Sequence, residues 1–268
     1  MTPPAALGGR SAPLPSMSEL SDAALLRYSR HLLLPQIDLT GQAALAASRV
    51  LVVGAGGLGS PVVLYLAAAG IGTLTVADAD TVALSNLQRQ IAFAQADLGR
   101  NKAEAAAERA RALNDMCQVV ALDERLQAAR LTTLVAAQTL VLDCSDNFAT
   151  RHAVNRACFA AGVPLVSGAA VRTEGQLAVF DPANPASPCY QCLFPDEGDE
   201  GDGPCATFGV LAPLVGVLGS LQAVEAVKWL VGERGSAGRF WRYAAWSGHF
   251  SETRVPRDPD CPVCRQRS

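Results

Sequence analysis

A glycine-rich turn directly after an apolar run constrains this chain more than any other feature. Val50-Leu51-Val52-Val53 reads as a buried strand, Gly54-Ala55-Gly56-Gly57-Leu58-Gly59 as a turn, and Pro61–Ala69 as a helix. In a strand–turn–helix unit of this kind the glycines admit the backbone to a phosphate, and the helix N-terminus supplies N–H groups and a positive dipole. Asp78 closes a second strand-like run, Leu74–Ala77, where a carboxylate accepts hydrogen bonds from a ribose diol. These two features suit the adenosine part of any nucleotide. Asn86-Leu87-Gln88-Arg89-Gln90 and Lys102 separate the cases. A triphosphate needs cations to offset its self-repulsion, whereas a dinucleotide pyrophosphate is held mostly by amides. The combination reads as an ATP site.

The same alternation continues along the chain. Strands are expected at Arg49–Val53, Thr73–Ala77, Gln118–Leu122, Thr139–Leu142 and Pro164–Val166, with helices at Pro61–Ala69, Lys102–Leu113, Leu131–Ala137 and Phe148–Ala161. Short helices carrying Leu20, Leu25, Leu26, Leu32, Leu33 and Leu34 precede the first strand. After Gly168 the pattern changes to the antiparallel-type runs Gln176–Phe180 and Phe240–Ala244. The expected fold is α/β: a Rossmann-like, doubly wound, mainly parallel sheet continued by antiparallel strands, with ligands at the strand C-terminal ends.

A chain of 268 residues, half of them hydrophobic and 18% charged, is long enough for one large core. Its net charge of −3 and lack of a basic stretch argue against nucleic acid. Residues 1–17, with Pro3, Pro4, Pro13 and Pro15, are expected to be a disordered leader, and Met17 is an alternative start. Residues 18–268 are expected to be a single domain. Its nucleotide half covers about 48–168, and its second half, about 169–268, carries the paired cysteines. Ala206–Val224 is uncharged and close to membrane-spanning length, but Pro213 is expected to interrupt it, so a buried core helix or helix pair is the better reading. A cytoplasmic protein without membrane contact is expected. The acidic, glycine-rich run from Asp196 to Gly203 reads as a mobile loop.

Eight cysteines fall into classes by spacing. Cys189-x-x-Cys192 and Cys261-x-x-Cys264 are two knuckles that together make one tetrahedral zinc site, clipping the C-terminus onto the body; redox pairs or disulfides are the competing reading. Cys117, Cys144 and Cys158 sit among apolar residues and read as core. Cys205 follows the acidic loop and precedes an apolar helix. Two readings stay open for it: a reactive thiol near a helix N-terminus, or a loop cysteine of no consequence.

Taken together, Arg27-Tyr28-Ser29-Arg30, the glycine turn, Asp78-Ala79-Asp80, Ser85–Gln90, Lys102, Asp143-Cys144-Ser145-Asp146-Asn147, Ser167-Gly168-Ala169-Ala170 and both cysteine pairs resemble the HesA/MoeB/ThiF family of ubiquitin-activating-enzyme-like adenylyltransferases. The resemblance runs from about Leu20 to Cys264. It implies an ATP-dependent, magnesium-assisted adenylyltransferase acting on the C-terminal Gly-Gly carboxylate of a ubiquitin-fold sulfur carrier. By position, Gly54, Gly56, Gly57, Gly59, Asp78, Asp80, Asn86, Arg89, Gln90, Lys102 and Asp146 are the implied nucleotide set, with Asp78 on the ribose and Asp146 on magnesium. Arg89, Lys102, Asp146 and Cys205 are implied to be catalytic, together with Arg30, reaching across a homodimer. Relatives often place a proline near Arg100-Asn101, and no sulfurtransferase domain follows Cys264, so a separate sulfur donor is expected.

Each position also has a plainer reading. Asp78 caps a turn, Arg89 pairs with Asp97, and Asp146 is the N-cap before Phe148. The carrier is expected to be the MoaD-like small subunit of molybdopterin synthase, on Ser167–Arg172 and Glu174-Gly175-Gln176. The thiamin-pathway ThiS-like carrier is the alternative, on Cys192–Asp196 and Cys261–Cys264. From other classes, an NAD-dependent dehydrogenase would need a hydride-transfer acid or base that no His or Tyr-Lys pair supplies, and a zinc-clipped module that binds nucleotide without turnover is a third reading.

Overall fold

The computed structural model describes residues 20–196 and 208–265. The expected leader, most of the acidic loop, and Cys205 lie outside the described residues. Three short helices, α1 (Asp22–Arg27), α2 (Ser29–Leu32) and α3 (Asp38–Ala47), lead into β1 (Arg49–Val53). There follow α4 (Gly59–Ala69), β2 (Thr73–Ala77), α5 (Lys102–Leu113), β3 (Gln118–Leu122), α6 (Ala128–Ala136), β4 (Leu140–Asp143), α7 (Phe148–Ala161) and β5 (Leu165–Val171). The rest comprises β6 (Glu174–Phe180), α8 (Tyr190–Leu193), the long α9 (Ala212–Leu230), β7 (Arg239–Ala244) and β8 (His249–Arg254).

One eight-stranded sheet runs in the order β3-β2-β1-β4-β5-β6-β7-β8. The pairs from β3 to β5 are parallel, and those from β5 to β8 are antiparallel. The sequence explains the change of direction. Val50 and Val52 enter one core cluster with α4, α5 and α9, whereas Leu51 and Val53 enter another with Val154, Phe159 and Phe180. Both faces of β1 are therefore covered, as continuous apolar runs in parallel sheets require. By contrast, β8 reads His-Phe-Ser-Glu-Thr-Arg and is largely exposed. It lacks an apolar run, and the expected strand set omitted it; it forms because β7 offers it a full ladder from Arg239↔Arg254 to Ala244↔His249.

Pro213 corrects one expectation. It lies in the first turn of α9, where a missing N–H costs no hydrogen bond, so it starts the helix instead of interrupting it. Buried Glu225 pairs with Lys228 at 2.7 Å in the same helix. Among the described residues no helix is long and apolar enough to cross a membrane.

Candidate active site

The strand order reverses at β1, which lies between β2 and β4, and a cavity of about 340 Å³ opens over the C-terminal ends of these strands. Crevices at such switch points are where open α/β sheets hold ligands. The glycine turn forms one wall. Gly54 has φ +94°, and a Cβ there would stand 2.8 Å from the Cys144 carbonyl oxygen; a Cβ on Gly59 would meet the Gly54 oxygen at 2.0 Å. Only glycine fits either place. No side chain caps α4, and Gly56, Gly57 and Leu58 line the cavity.

Asp78 stands at the end of β2. Its Oδ2 accepts from the Ala55 N–H at 2.8 Å and its Oδ1 from the Asp80 N–H at 2.9 Å. The capping reading is thus satisfied, and the same carboxylate also ties the glycine turn to β2 while lining the cavity. Burial raises its pKa above the usual value of 3.8, against the backbone donors and Lys102, which lower it.

Lys102 is the first residue of α5. Asn101 caps that helix by accepting from the Glu104 N–H at 3.0 Å, while its amide donates to the Asp78 carbonyl at 2.9 Å. A lysine in the first turn opposes the helix dipole. Asp80 offsets this, accepting from the buried Lys102 Nζ at 2.8 Å. The ammonium is therefore held at the cavity by a carboxylate that remains largely exposed.

Arg89 does not pair with Asp97. Its Nη1 donates to the Ser85 carbonyl at 3.1 Å, and Asp97 instead engages Arg100 at 2.8 Å and Arg109 at 3.7 Å. Gln90 is buried and its Oε1 has no hydrogen-bond partner. Asn86 accepts from the Ala83 N–H at 3.0 Å and shapes the turn without lining the cavity.

Asp146 is not the N-cap of α7. Asn147 takes that place, accepting from the Thr150 N–H at 2.9 Å, which leaves Asp146 exposed at the cavity rim. A buried network fixes the loop beneath it. Asp143, fully buried at the end of β4, accepts from Ser145 Oγ at 2.6 Å and Ser167 Oγ at 2.9 Å. Buried Arg151 donates to the Gly168 carbonyl at 3.0 Å and to the Ser145 carbonyl. Cys144 also lines the cavity, but burial drives its thiol pKa upward, in keeping with its reading as a core residue.

The cavity thus brings together Gly54, Gly56, Gly57, Asp78, Asp80, Arg89, Gln90, Lys102 and Asp146. Gly59 acts through the turn, and exposed Arg30 lies away from the cavity of its own chain. Sequence reasoning missed Thr150, Arg151 and the Glu124-Arg125-Leu126 segment as lining residues. The i+3 cap at Asn147 was the available signal for Thr150; nothing local marks the segment after β3.

Across the sheet, the Sγ atoms of Cys189, Cys192, Cys261 and Cys264 all lie within 4.8 Å of one another. Neighbouring sulfurs stand 3.5 to 3.9 Å apart. A disulfide needs about 2.05 Å. Four sulfurs about 2.3 Å from a central zinc stand about 3.8 Å from one another, and the cluster fits that tetrahedron. The hydrogen bond between Cys189 and Cys192 pushes the Cys192 thiol down and the Cys189 thiol up, so the two share one proton between them.

The ThiF family profile matches residues 28–263. The chain belongs to the ThiF family. Among its relatives are the molybdopterin-synthase adenylyltransferase of Escherichia coli K12, 48% identical over 61% of this chain, and the sulfur carrier protein ThiS adenylyltransferase of the same strain, 46% identical over 61%. The chain spans just under two thirds of their lengths, 66% and 65%. A relative from Sus scrofa, named adenylyltransferase and sulfurtransferase MOCS3, is 44% identical over 63% of this chain and 37% of its own. The Escherichia coli MccB structure with ATP shares this ThiF-family fold at a TM-score of 0.77 and 24% identity, covering 89% of this chain and 73% of that one.

Proposed function

We propose that this chain is an adenylyltransferase that uses ATP to activate the C-terminal glycine carboxylate of a ubiquitin-fold sulfur carrier, MoaD-like in the first instance. The observation that carries the reading is the cavity over β1 and β4, where a glycine turn, the Asp78 carboxylate, the cations Arg89 and Lys102 and the exposed carboxylate of Asp146 converge. The names of the bacterial relatives support the same reading.

The chemistry follows from the groups present. A glycine carboxylate is already ionised at neutral pH, so it attacks the α-phosphorus without a general base. A new oxygen–phosphorus bond forms, the bond to the bridging oxygen breaks, and pyrophosphate leaves. Catalysis is then positioning and charge neutralisation. Asp78 holds the ribose, and the open amides of the turn face the phosphates. Arg89 and Lys102 stabilise the charge that gathers on pyrophosphate, Lys102 exchanging its bond with Asp80 for one to phosphate. Asp146, exposed and without a partner, is the residue suited to hold magnesium, which when bound neutralises phosphate charge.

The nucleotide half, about 48–168, meets a second half, about 169–268, that docks the carrier and holds zinc on Cys189, Cys192, Cys261 and Cys264. Four thiolates leave no open position, so that metal is structural. Arg30 completes the site of a second copy in a homodimer. Sulfur reaches the activated carrier from a separate donor, and the reaction runs in the cytoplasm.

Carrier-dependent ATP–pyrophosphate exchange tests the reading. Exchange with a MoaD-like carrier and little with a ThiS-like one is expected. The reverse preference moves the chain to the thiamin-pathway carrier, and no exchange with either sinks the activity.

A further inference from the structure

Asn155 lies in the middle of α7 and is fully buried. Its side-chain amide is fixed at one end. Oδ1 accepts from the Tyr190 N–H at 3.0 Å, and Tyr190 directly follows Cys189. That bond turns the other end of the planar amide, Nδ2, with its two N–H donors, into the interior. Nδ2 has no hydrogen-bond partner. A donor left buried and unsatisfied is costly, so a partner is to be sought. Cys189 is the nearest chemistry to it: it precedes the Tyr190 N–H that Oδ1 holds, and it packs in the same buried cluster as Val154, Ala157 and Cys158, which flank Asn155 on α7.

The charge count of the cluster supplies the reason for such a donor. Four thiolates around one dication leave two net negative charges in an almost closed site, where Cys189, Cys261 and Cys264 are buried. Charge of that kind is tolerated only with N–H groups aimed at the sulfurs. Cys192 receives the backbone N–H of Cys189 at 3.5 Å. A thiolate is a far better acceptor than a thiol, because a bond to an ionised partner is about twice as strong as a neutral one.

We propose that Asn155 is a positioning residue for the metal site, donating from Nδ2 to the metal-bound thiolate of Cys189 while its Oδ1 fixes the start of α8. The inference rests on the zinc reading above. Its consequence is mechanical, since α7 is capped by Asn147, beside Asp146 at the rim of the cavity, and reaches the cysteine cluster through Asn155.

Asn155→Asp keeps the Oδ1 acceptor and the shape but replaces the donor with a second acceptor that adds charge, so its result is read together with the cadmium measurement below. Zinc affinity, read by chelator competition on the full chain, should fall roughly 10- to 100-fold, the usual cost of losing a group that orients a ligand. In the cobalt-substituted variant, the sulfur-to-cobalt charge-transfer band should shift as well. If Asn155→Asp, despite its added charge, binds zinc as the unaltered chain does and only Asn155→Ala weakens, Asn155 serves only to hold Tyr190, which overturns the proposal. A measurement on the unaltered chain guards against a variant that fails to fold. With cadmium-113 in the site, the Asn155 side-chain amide proton should couple to the metal through Cys189 Sγ, and absence of that coupling refutes the bond. An unaltered chain that binds no zinc removes the metal reading and this inference with it.

Discussion

The two halves of the sheet solve different problems. From β1 to β5 the strands are parallel and joined by helices, with β1, β2 and β4 buried, so each crossover returns the chain to the same edge of the sheet. Chemistry-bearing residues therefore collect at that edge from short, local motifs. From β6 onward the strands are antiparallel, and the cysteine cluster joins Cys189 to Cys261, 72 positions apart. There the geometry depends on long-range closure. The first half gathers side chains by topology, and the second would be held shut by a metal.

Variants in the first half should sharpen that contrast most. Arg89→Ala and Asp146→Ala should each lower carrier-dependent pyrophosphate exchange about 100-fold or more, the scale of losing one preorganised charge-stabilising group. Neither residue is buried, so melting temperature should hold. Undiminished exchange in either variant removes that residue from the chemistry. Arg30→Ala should be as inactive, and mixing it with Asp146→Ala subunits should restore up to about half the activity, because one of two shared sites is then intact. A fully active Arg30→Ala monomer breaks the shared-site reading.

In the second half the loss should appear as stability. Cys261→Ser removes one ligand of the cluster, and a deficit on the order of 3 kcal/mol lowers Tm by roughly 5–10 °C in a chain of this size. Elemental analysis should find one zinc per unaltered chain. An unchanged melting curve, or four free thiols and no zinc, would falsify the clip.

How much of this contrast was legible beforehand follows the same division. Arg49–Val53, Thr73–Ala77 and Gln118–Leu122 stand at their expected limits, as do the helices Lys102–Leu113 and Phe148–Ala161. Dense apolar runs mark the first two strands, and Asn101 and Asn147 cap the helices. Thr139–Leu142 shifted by one residue to Leu140–Asp143. Pro164–Val166 grew to Leu165–Val171, because its extension is paired with β6 and no local signal of its own marks it. The polar β8 was invisible for the same reason. Within the site, the residue types were readable and the partners were not. That Asn147 rather than Asp146 would cap α7, that Asp97 would engage Arg100 instead of Arg89, and that Asp80 would hold Lys102 are outcomes of packing.

A smaller effect concerns pH. Burial lifts the folded pKa of Asp78 above that of an unfolded aspartate. For a carboxyl shifted this way, the stabilising contribution belongs to the protonated form. It is present below the unfolded value and lost as pH rises through the folded one. Ionised Asp78 therefore costs stability at neutral pH, a cost that the proposed ribose-binding role would account for. If Asp78 is the ribose acceptor, ATP affinity should weaken about tenfold as pH falls through a value above 3.8 and its carboxylate is protonated. In Asp78→Asn that titration should vanish, and Tm should fall because one of the two backbone N–H groups loses its acceptor. An acid limb that persists in the variant assigns the titration to another group.

The smallest expected change is at Cys205, in the segment between the two described stretches. Adenylylation joins a carboxylate oxygen to phosphorus, and a thiol has no role in that step. Cys205→Ala should leave pyrophosphate exchange within about twofold of the unaltered chain. The step after it is different. A thiolate attacks the acyl carbon of the carrier adenylate, a carbon–sulfur bond forms, and AMP leaves, giving a thioester. Trapping enzyme, carrier and ATP together and weighing the products separates the two fates. A carrier adduct on Cys205, with slowed sulfur transfer in the alanine variant, makes the thiol a covalent relay. Free carrier adenylate beside unmodified Cys205, with normal transfer in the variant, makes it a bystander and leaves sulfur delivery to the proposed separate donor. Loss of exchange itself would contradict both fates and place the thiol, against the chemistry argued above, in the adenylylation step.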